Sequence, residues 1–273
     1  MYKKLLASSL LQLLIVVGIQ SQTVSFGTEI NPDGKSLTIT GFKGSASEIT
    51  VPQTIDGLPV TAIGDDAFDN KGLTSLVLPE GLETIGFFSF TSNKLASLTI
   101  PSTVTKIVGA FSNNMLESVV FPDNLIEIGT ISFQANKLTA VTLPAKLEKI
   151  GQLAFASNQL TEIVIPDSVH TIDSGAFADN GLRSIVLPGS IKELYTNIFI
   201  DNYLTSLVVP DSVTDIRGGF WQGGNKITTV TIGENVNFEF DNDPIDALFY
   251  DCYTGNGRQK GTYVFDGGKW TKN

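Results

Sequence analysis

A unit of about 22 residues repeats along most of the chain, and this repeat constrains the fold more than any other feature. One phenylalanine marks each unit, at Phe68, Phe90, Phe111, Phe133, Phe155, Phe177, Phe199 and Phe220. Prolines keep the same spacing, at Pro79, Pro101, Pro122, Pro144, Pro166, Pro188 and Pro210. A fixed period of this length predicts a solenoid, in which each unit forms one coil and buries its apolar face against the next.

Each unit also carries apolar residues in the order L-x-x-L-x-L, as in Leu73-Thr-Ser-Leu76-Val-Leu78. An asparagine comes two residues before this segment in most units, at Asn93, Asn114, Asn136, Asn158, Asn180 and Asn202. Repeats of this length and pattern are typical of leucine-rich-repeat proteins. The sequence therefore predicts a mainly β, right-handed leucine-rich-repeat solenoid of about eight coils, with a hairpin cap at each end.

The repeated residue types have separate physical roles in the predicted coil. Alternate side chains such as Leu76 and Leu78 point inward, because successive residues of a strand face opposite sides. Proline ends the strand, since it cannot donate a ladder hydrogen bond. We expect the phenylalanines to stack through the interior. The asparagine amides are expected to bind turn backbone that would otherwise be buried without partners.

A second apolar stripe, including Val104-x-x-Ile107 and Leu125-x-x-Ile128, predicts another short strand on the opposite side of each coil. One outward position within the stripe is occupied by Lys106, Glu127 and Lys149 in three successive coils. Opposite charges on neighbouring strands ~4.8 Å apart can pair. We favour ordinary pairing on a solvated face over a charged contact strip.

The sequence outside the repeat predicts three further segments. Lys3 and Lys4 precede an apolar run, Leu5 to Ile19, which is shorter than the ~20 residues that a membrane-spanning helix needs. This pattern predicts a signal peptide at 1–22 and an exported protein, with a retained N-terminal anchor as the alternative. The remaining domains are then an N-terminal cap at 23–48, the solenoid at 49–232 and a C-terminal cap at 233–273.

Turn-forming residues mark a hairpin in each predicted cap. Asn31-Pro-Asp-Gly34 separates two strand-like runs, and Asp266-Gly267-Gly268 separates two more near Trp270. Asp241 to Asp246 is predicted to be an acidic turn. We favour Asx-turn chemistry there over a calcium site, because the glycine and the spacing of an EF-hand loop are missing.

Several segments resemble the BspA-type bacterial leucine-rich-repeat family. The segment Ile55-Asp-Gly-Leu-Pro-Val-Thr-Ala-Ile-Gly-Asp-Asp-Ala-Phe68 is similar to the family's entry segment, and later units of the form Leu-Pro-x-x-Leu-x-x-Ile-Gly-x-x-Ala-Phe are similar to its repeat. The resemblance extends from about Leu37 to Ile232. It implies an exported or surface-displayed protein that takes part in adhesion to host proteins or other bacteria. It implies no catalytic motif and no fixed set of binding residues.

Composition and motif content argue against several functions. The net charge is −10 and only 17% of the residues are charged, so nucleic acid and anionic lipid find few cations to bind. Cys252 is the only cysteine and His170 the only histidine, which excludes an internal disulfide and a cysteine-rich zinc site. No nucleophile-elbow, metalloprotease or P-loop motif occurs. We therefore predict no enzyme activity, no cofactor and no metal.

The outward positions of the L-x-x-L-x-L segments form the candidate binding surface. The candidate ligand-binding residues there are Val77, Thr99, Val120, Thr142, Glu162, Val164, Val186 and Val208. An exposed row of valines favours a docked partner, although valine and threonine are also simply good strand residues. Glu162 alone cannot supply the acid and base pair of glycoside hydrolysis. We therefore favour protein binding over the alternative, an exported polysaccharide-binding or polysaccharide-degrading solenoid.

Three aromatic residues break the pattern near the end of the repeat. Tyr195, Tyr203 and Trp221 occupy outer positions that are mostly small or polar in other units. They form a binding patch, since tyrosine and tryptophan are enriched at hot spots, or they pack beneath the C-terminal cap. The predicted partner is an extracellular or cell-surface protein, with a host matrix protein as one candidate. The chain itself is predicted to be a monomer and not an integral membrane protein.

Overall fold

The computed structural model describes residues 24–218, 223–239 and 244–273. The predicted signal peptide at 1–22, together with Phe220 and Trp221, lies outside the described residues. The strands up to the middle of the chain are β1 (Ser25–Ile30), β2 (Leu37–Lys43), β3 (Glu48–Thr50), β4 (Thr54–Ile55), β5 (Leu58–Ile63), β6 (Ser75–Val77), β7 (Thr84–Ile85), β8 (Ser97–Thr99), β9 (Lys106–Ile107) and β10 (Ser118–Val120). They are followed by β11 (Glu127–Ile128), β12 (Lys149–Ile150), β13 (Thr171–Ile172), β14 (Glu193–Leu194), β15 (Ser206–Val208), β16 (Asp215–Arg217), β17 (Thr229–Ile232), β18 (Asn237–Glu239), helix α1 (Pro244–Gly255), β19 (Gly261–Asp266) and β20 (Lys269–Lys272).

These elements wind into a mainly β solenoid of about nine turns of ~22 residues. The predicted leucine-rich-repeat fold is confirmed, with about one turn more than the eight that the sequence predicted. The first turn contains β3, which pairs in parallel with β6, and β5, which pairs in parallel with β7. The chain therefore enters the repeat before its first marker phenylalanine, Phe68.

The repeated phenylalanines form a continuous stack through the interior, as predicted. The fully buried members are Phe68, Phe90, Phe111, Phe133, Phe155, Phe177 and Phe199. The ring centroids of Phe68 and Phe90 are 4.9 Å apart, and those of Phe111 and Phe133 are 5.7 Å apart. Stacked rings at such distances contribute beyond the area that they bury. The stack therefore joins successive coils into one hydrophobic core.

The asparagines form a second ladder, which satisfies turn backbone as predicted. Asn136 Nδ2 donates to the carbonyl oxygens of Phe111 at 3.0 Å and Phe133 at 3.1 Å. It also lies 3.3 Å from the carbonyl oxygen of Gln134, and Asn136 Oδ1 accepts from the N–H of Leu116 at 3.0 Å. One side chain thus links two coils and leaves none of its own polar atoms unpaired. The same arrangement recurs at Asn93, Asn114, Asn158, Asn180 and Asn202.

The second apolar stripe forms the side of the solenoid that we call the ladder face, built from β7, β9, β11 to β14, β16 and β18. Lys106, Glu127 and Lys149 lie in register on neighbouring parallel strands. Lys106 Nζ is 2.7 Å from Glu127 Oε2, as the sequence predicted. Lys149 instead pairs with Asp173 of the following coil, at 3.3 Å. These three charges of the face are thus paired within the chain, whereas Glu83 and Lys192 of the same face form no ion pair among the described residues.

The N-terminal cap is a hairpin, in which β1 and β2 pair antiparallel. Its turn is fixed by Asp33, whose Oδ1 accepts from the N–H groups of Lys35 at 2.8 Å and Ser36 at 3.1 Å. These bonds, the one from Lys35 foremost, lower the pKa of the Asp33 carboxyl. The rings of Phe26 and Phe42 lie against Phe68 of the stack, so the hairpin covers the open end of the first coil.

The C-terminal cap contains a helix that the sequence analysis missed. Helix α1 begins at Pro244, inside the segment predicted to be an acidic turn, and residues 241–243 of that segment lie outside the described residues. Proline is favoured in the first turn of a helix. Phe249 and Tyr253, four residues apart on one face, are fully buried. The predicted hairpin, β19 and β20, follows α1 and pairs antiparallel with β17, which ends the solenoid.

Candidate binding surface

The outward side chains of the L-x-x-L-x-L segments share one side of the solenoid, which we call the strand face. All the predicted face residues from Val77 to Val208 are exposed, and Val164 and Val186 are 83% and 80% exposed. Thr229 and Thr231 are half-buried, because β19 of the C-terminal cap pairs with their strand. The strand face therefore extends from the N-terminal coil to the terminal hairpin.

The backbone ladder beneath the strand face is interrupted. β3 pairs with β6, β8 with β10, and β15 with β17. Between β10 and β15, the segments 140–143, 162–165 and 184–187 form no strand. Within the described part of the chain, their main-chain groups make no backbone hydrogen bond. These N–H and C=O groups therefore remain open to water or to a partner.

The ladder is also broken between β6 and β8, which belong to separate sheets. The longer interruption follows Phe121, which takes a position held by buried leucine at Leu78 and Leu143. Phe121 is half-buried, and its ring meets Phe133 edge-on at 5.4 Å and Phe155 at 6.5 Å. A close-packed interior cannot accept the larger ring without moving a neighbour. The break between β6 and β8 lies next to Leu78 and Ile100, so a ring of this size is not required to open the ladder.

The opened coils form a shallow groove of about 770 Å³ in the middle of the strand face. Its lining includes Ser118, Thr142, Glu162, Val164 and Val186. Glu162 is the only charged residue that lines the groove. The groove thus offers apolar contact, hydroxyl groups and unpaired main-chain groups, with one carboxylate.

The two aromatic candidates among the described residues, Tyr195 and Tyr203, lie on different faces. Tyr195 follows β14 on the ladder face, where its ring lies 5.7 Å from the Arg217 guanidinium and packs against the core. Burial raises the pKa of the Tyr195 phenol. Tyr203 adjoins the strand face, is 59% exposed, and lies 5.9 Å from the Arg183 guanidinium. Trp221 lies outside the described residues. Of the two tyrosines, only Tyr203 adjoins the face that carries the groove.

The reactive side chains of the described residues lie apart from one another. His170 is exposed on the ladder face, with Nε2 3.8 Å from Glu148 Oε2. Burial raises the pKa of the Cys252 thiol, which disfavours the reactive thiolate. Across 24–218, 223–239 and 244–273, no cluster of three histidine, cysteine or acidic side chains could hold a metal ion. Among those same residues, no helix has the length and apolar character needed to cross a membrane.

The repeat region is similar to known bacterial leucine-rich repeat proteins. The family model described as BspA type Leucine rich repeat region matches in six copies, over residues 61–181 and 148–252. A leucine-rich repeat protein from Bacteroides ovatus has a similar structure, with a TM-score of 0.60 and 19% identity over 82% of this chain and 67% of that chain. The T. pallidum leucine rich repeat protein TpLRR is 25% identical, over 79% and 82% of the two chains, with a TM-score of 0.39. A leucine rich cell surface protein from Faecalibacterium prausnitzii is 19% identical, over 85% and 96%, with a TM-score of 0.36. No curated protein matches the chain.

Proposed function

We propose that this chain, which belongs to the BspA-type leucine-rich repeat family, is a protein-binding module that works through its strand face. Stacked repeats present an extended surface to which many coils contribute. The observation that carries the proposal is the row of exposed valines above coils whose backbone ladder is open. The groove residues Thr142, Glu162, Val164 and Val186 form the centre of the proposed site.

The chemistry of the groove favours a protein partner. Val164 and Val186 provide the apolar contact that the centre of a protein interface requires, and large exposed apolar patches commonly mark interaction sites. Hydroxyl groups such as those of Ser118 and Thr142, with the unpaired main-chain groups, can form the hydrogen bonds that accompany it. The partner is thus expected to present an apolar patch bordered by hydrogen-bonding groups.

We propose that binding occurs without catalysis. Glu162 is the only charged residue in the groove lining, so the two carboxylates of glycoside hydrolysis are not brought together there. The role in adhesion that the family resemblance implies remains part of the proposal, and the partner is an extracellular or cell-surface protein. A glycan ligand is one outcome of the test below.

We further propose export through the predicted signal peptide at 1–22, on the basis of the basic start and short apolar run. The mature chain is expected to begin close to Gln22, because the apolar run ends at Ile19 and a polar stretch follows. N-terminal sequencing of protein from the culture supernatant or the cell surface checks this prediction. Recovery of an intact Met1 would contradict it.

A binding array tests the proposed function. The array holds matrix proteins, bacterial surface proteins, glycans and surface polymers, and is probed with the mature chain. We expect capture by at least one protein and a loss of tenfold or more in affinity, ~1.4 kcal/mol, when Val164→Lys and Val186→Lys are combined. The added ammonium groups would lose water on docking without gaining a partner.

Ile126→Lys provides the matched control, because Ile126 is also an exposed aliphatic residue but lies on the ladder face. The free energy of unfolding of both variants is expected to lie within ~0.5 kcal/mol of the wild-type value, since the substitutions are at exposed positions. Equal loss of binding in the control would move the site away from the strand face. Capture by glycans alone would support the polysaccharide-binding alternative.

A further inference from the structure

Two rows of opposite charge border the strand face. Exposed basic residues lie where five of the coils enter their L-x-x-L-x-L segments, at Lys71, Lys94, Lys137, Arg183 and Lys226. Exposed acidic residues lie just after the proline that ends the segment, at Glu80, Asp123, Asp167 and Asp211. Glu117 and Lys146 depart from this pattern. The face is therefore nearly neutral along its middle, positive along one edge and negative along the other.

Most of these edge charges form no ion pair with any residue that the structure describes. Lys94, Lys137, Arg183, Asp123 and Asp167 form no ion pair among the described residues, although Arg183 also lies against the ring of Tyr203. On the ladder face, by contrast, cations such as Lys106 and Lys149 are paired internally. Asp211 is the exception along the acidic edge, since it pairs with Lys260. Unpaired charges also occur elsewhere, as at Glu83 and Lys192 of the ladder face, but along the borders of the strand face they are largely sorted by sign.

We propose that the strand face binds a second copy of this chain, in a two-fold dimer whose axis lies parallel to the solenoid. This inference rests on the proposed function, because it names a partner for the same site. A two-fold rotation about that axis lays the positive edge of one copy on the negative edge of the other. A two-fold axis along the strands would instead bring like charges together. The charge pattern therefore selects one symmetric arrangement.

The cations and anions of the two copies interleave in this arrangement. From Lys94 onward the bases and acids alternate between coils, so a base faces a coil that has an acid on either side of it, each offset by ~4.8 Å. The exceptions Lys146 and Glu117 lie opposite Lys137 and Asp123, so these two positions bring like charges together. Lys137 then lies between Asp123 and Asp167 of the other copy. Arg183 lies between Asp167 and Asp211 of the other copy. Long Lys and Arg side chains can reach either neighbouring acid. The proposed dimer departs from the monomer that the sequence analysis predicted.

The same rotation matches side-chain size across the contact. The row of small residues, mostly serine and including Ser118 and Ser184, faces the row of larger residues that includes Val120 and Val186. Small residues opposite larger ones allow the two surfaces to interdigitate. Glu162 is the charged member of the small row, and it faces Val164 of the other copy.

The strand face is large enough for a stable dimer. Seven coils at ~4.8 Å and a width of about eight residues at ~3.3 Å give a surface of roughly 30 by 26 Å, or about 800 Å². A specific interface of standard size buries about 800 Å² on each partner. The dimer would thus have a contact area within the range of specific complexes.

Charge-reversal variants test the dimer in sedimentation experiments at protein concentrations from about 1 to about 100 μM. Interfaces of this size can dissociate within that range. The first variant combines Lys137→Glu with Arg183→Glu, and the second combines Asp123→Lys with Asp167→Lys. We expect the wild-type chain to dimerise and each variant alone to dimerise at least tenfold more weakly. A one-to-one mixture of the two variants should restore a dimer, because both of their edges are then complementary. A chain that carries all four substitutions should also dimerise with itself.

The control variant combines Glu83→Lys with Lys192→Glu, exposed positions in the stripe of the ladder face, and should dimerise like the wild type. A wild-type chain that stays monomeric throughout the range overturns the proposal. So does a dimer that the first two variants leave intact, or a mixture that fails to restore it. A monomeric wild-type chain that still captures a protein on the array would retain the proposed function and lose only the self-association.

Discussion

Replacing Phe133 with alanine is expected to lower the free energy of unfolding by about 3–5 kcal/mol. Phe133 is fully buried in the middle of the phenylalanine stack, with ring centroids of Phe111 and Phe155 each 5.7 Å away. Phe121 contacts the same ring edge-on at 5.4 Å. Truncation therefore leaves a cavity that borders three coils. Denaturant unfolding of the wild-type and variant chains measures the loss.

Phe87→Ala is the matched control for this prediction. Phe87 is 38% exposed and its ring lies outside the stack, against Phe88. We expect a smaller loss of stability in Phe87→Ala, because 38% of the residue is already in contact with water and its ring is not part of the stack. Similar losses in both variants would contradict a stack in which burial of the interior rings holds the coils together.

Asn136→Asp is expected to destabilise the protein by about 3–5 kcal/mol at neutral pH, more than Asn136→Ala. The amide Nδ2 donates to three carbonyl oxygens, and a carboxylate would face the same three oxygens without a proton to donate. In Asn136→Ala the carbonyls of Phe111 and Phe133 keep amide donors from neighbouring asparagines. Only the N–H of Leu116 loses its partner, at a cost of about 1–3 kcal/mol.

The pH dependence of Asn136→Asp separates a charge effect from a packing effect. Burial and the carbonyl oxygens raise the pKa of the new carboxyl in the folded state above its unfolded value of ~3.9. The folded chain then binds a proton at this carboxyl more tightly than the unfolded chain does. The loss of unfolding free energy therefore grows as pH rises through the folded-state pKa of the carboxyl, and it shrinks as pH falls toward the unfolded-state pKa. Unfolding experiments at several pH values measure this trend relative to Asn136→Ala. A penalty that does not change with pH, or that is smaller than that of Asn136→Ala, would mean that the ladder does not depend on amide donation.

The interior ladders were predictable because the same residue type returns at the same position of every coil. Stacking places Phe111, Phe133 and Phe155 one above another wherever the period is kept, and the asparagines follow the same logic. Lys149 shows the limit of this reasoning. Its register partner Glu127 was predictable, but its ion pair with Asp173 depends on side-chain directions that spacing does not define.

The opened ladder and helix α1 could not be predicted from the repeat pattern. Coils with paired strands and coils with open strands carry the same L-x-x-L-x-L order, so the repeat pattern does not mark which neighbouring strands pair. Helix α1 is a single short helix stabilised by the burial of Phe249 and Tyr253 against the cap hairpin. Tertiary packing of this kind outweighs local propensity in short segments.

The sequence predicted which side chains of the candidate site point outward, but it did not predict the groove. Strand alternation correctly placed Val164 and Val186 outward. The groove arises from backbone groups that separate between coils, and no residue type marks such a separation. The sequence analysis grouped Tyr195 and Tyr203 as outer aromatic residues, yet they lie on different faces. The backbone changes direction within the eight residues that separate them.

Amide hydrogen exchange at residues 140–143, 162–165 and 184–187 tests the binding role of the strand face most directly. These N–H groups make no backbone hydrogen bond in the structure, so we expect fast exchange in the free chain at concentrations where it is monomeric. Addition of a protein captured on the array should slow their exchange, because a docked partner excludes water from the groove. Exchange that stays fast at these three segments while amides of the ladder face become protected would contradict a binding site on the strand face.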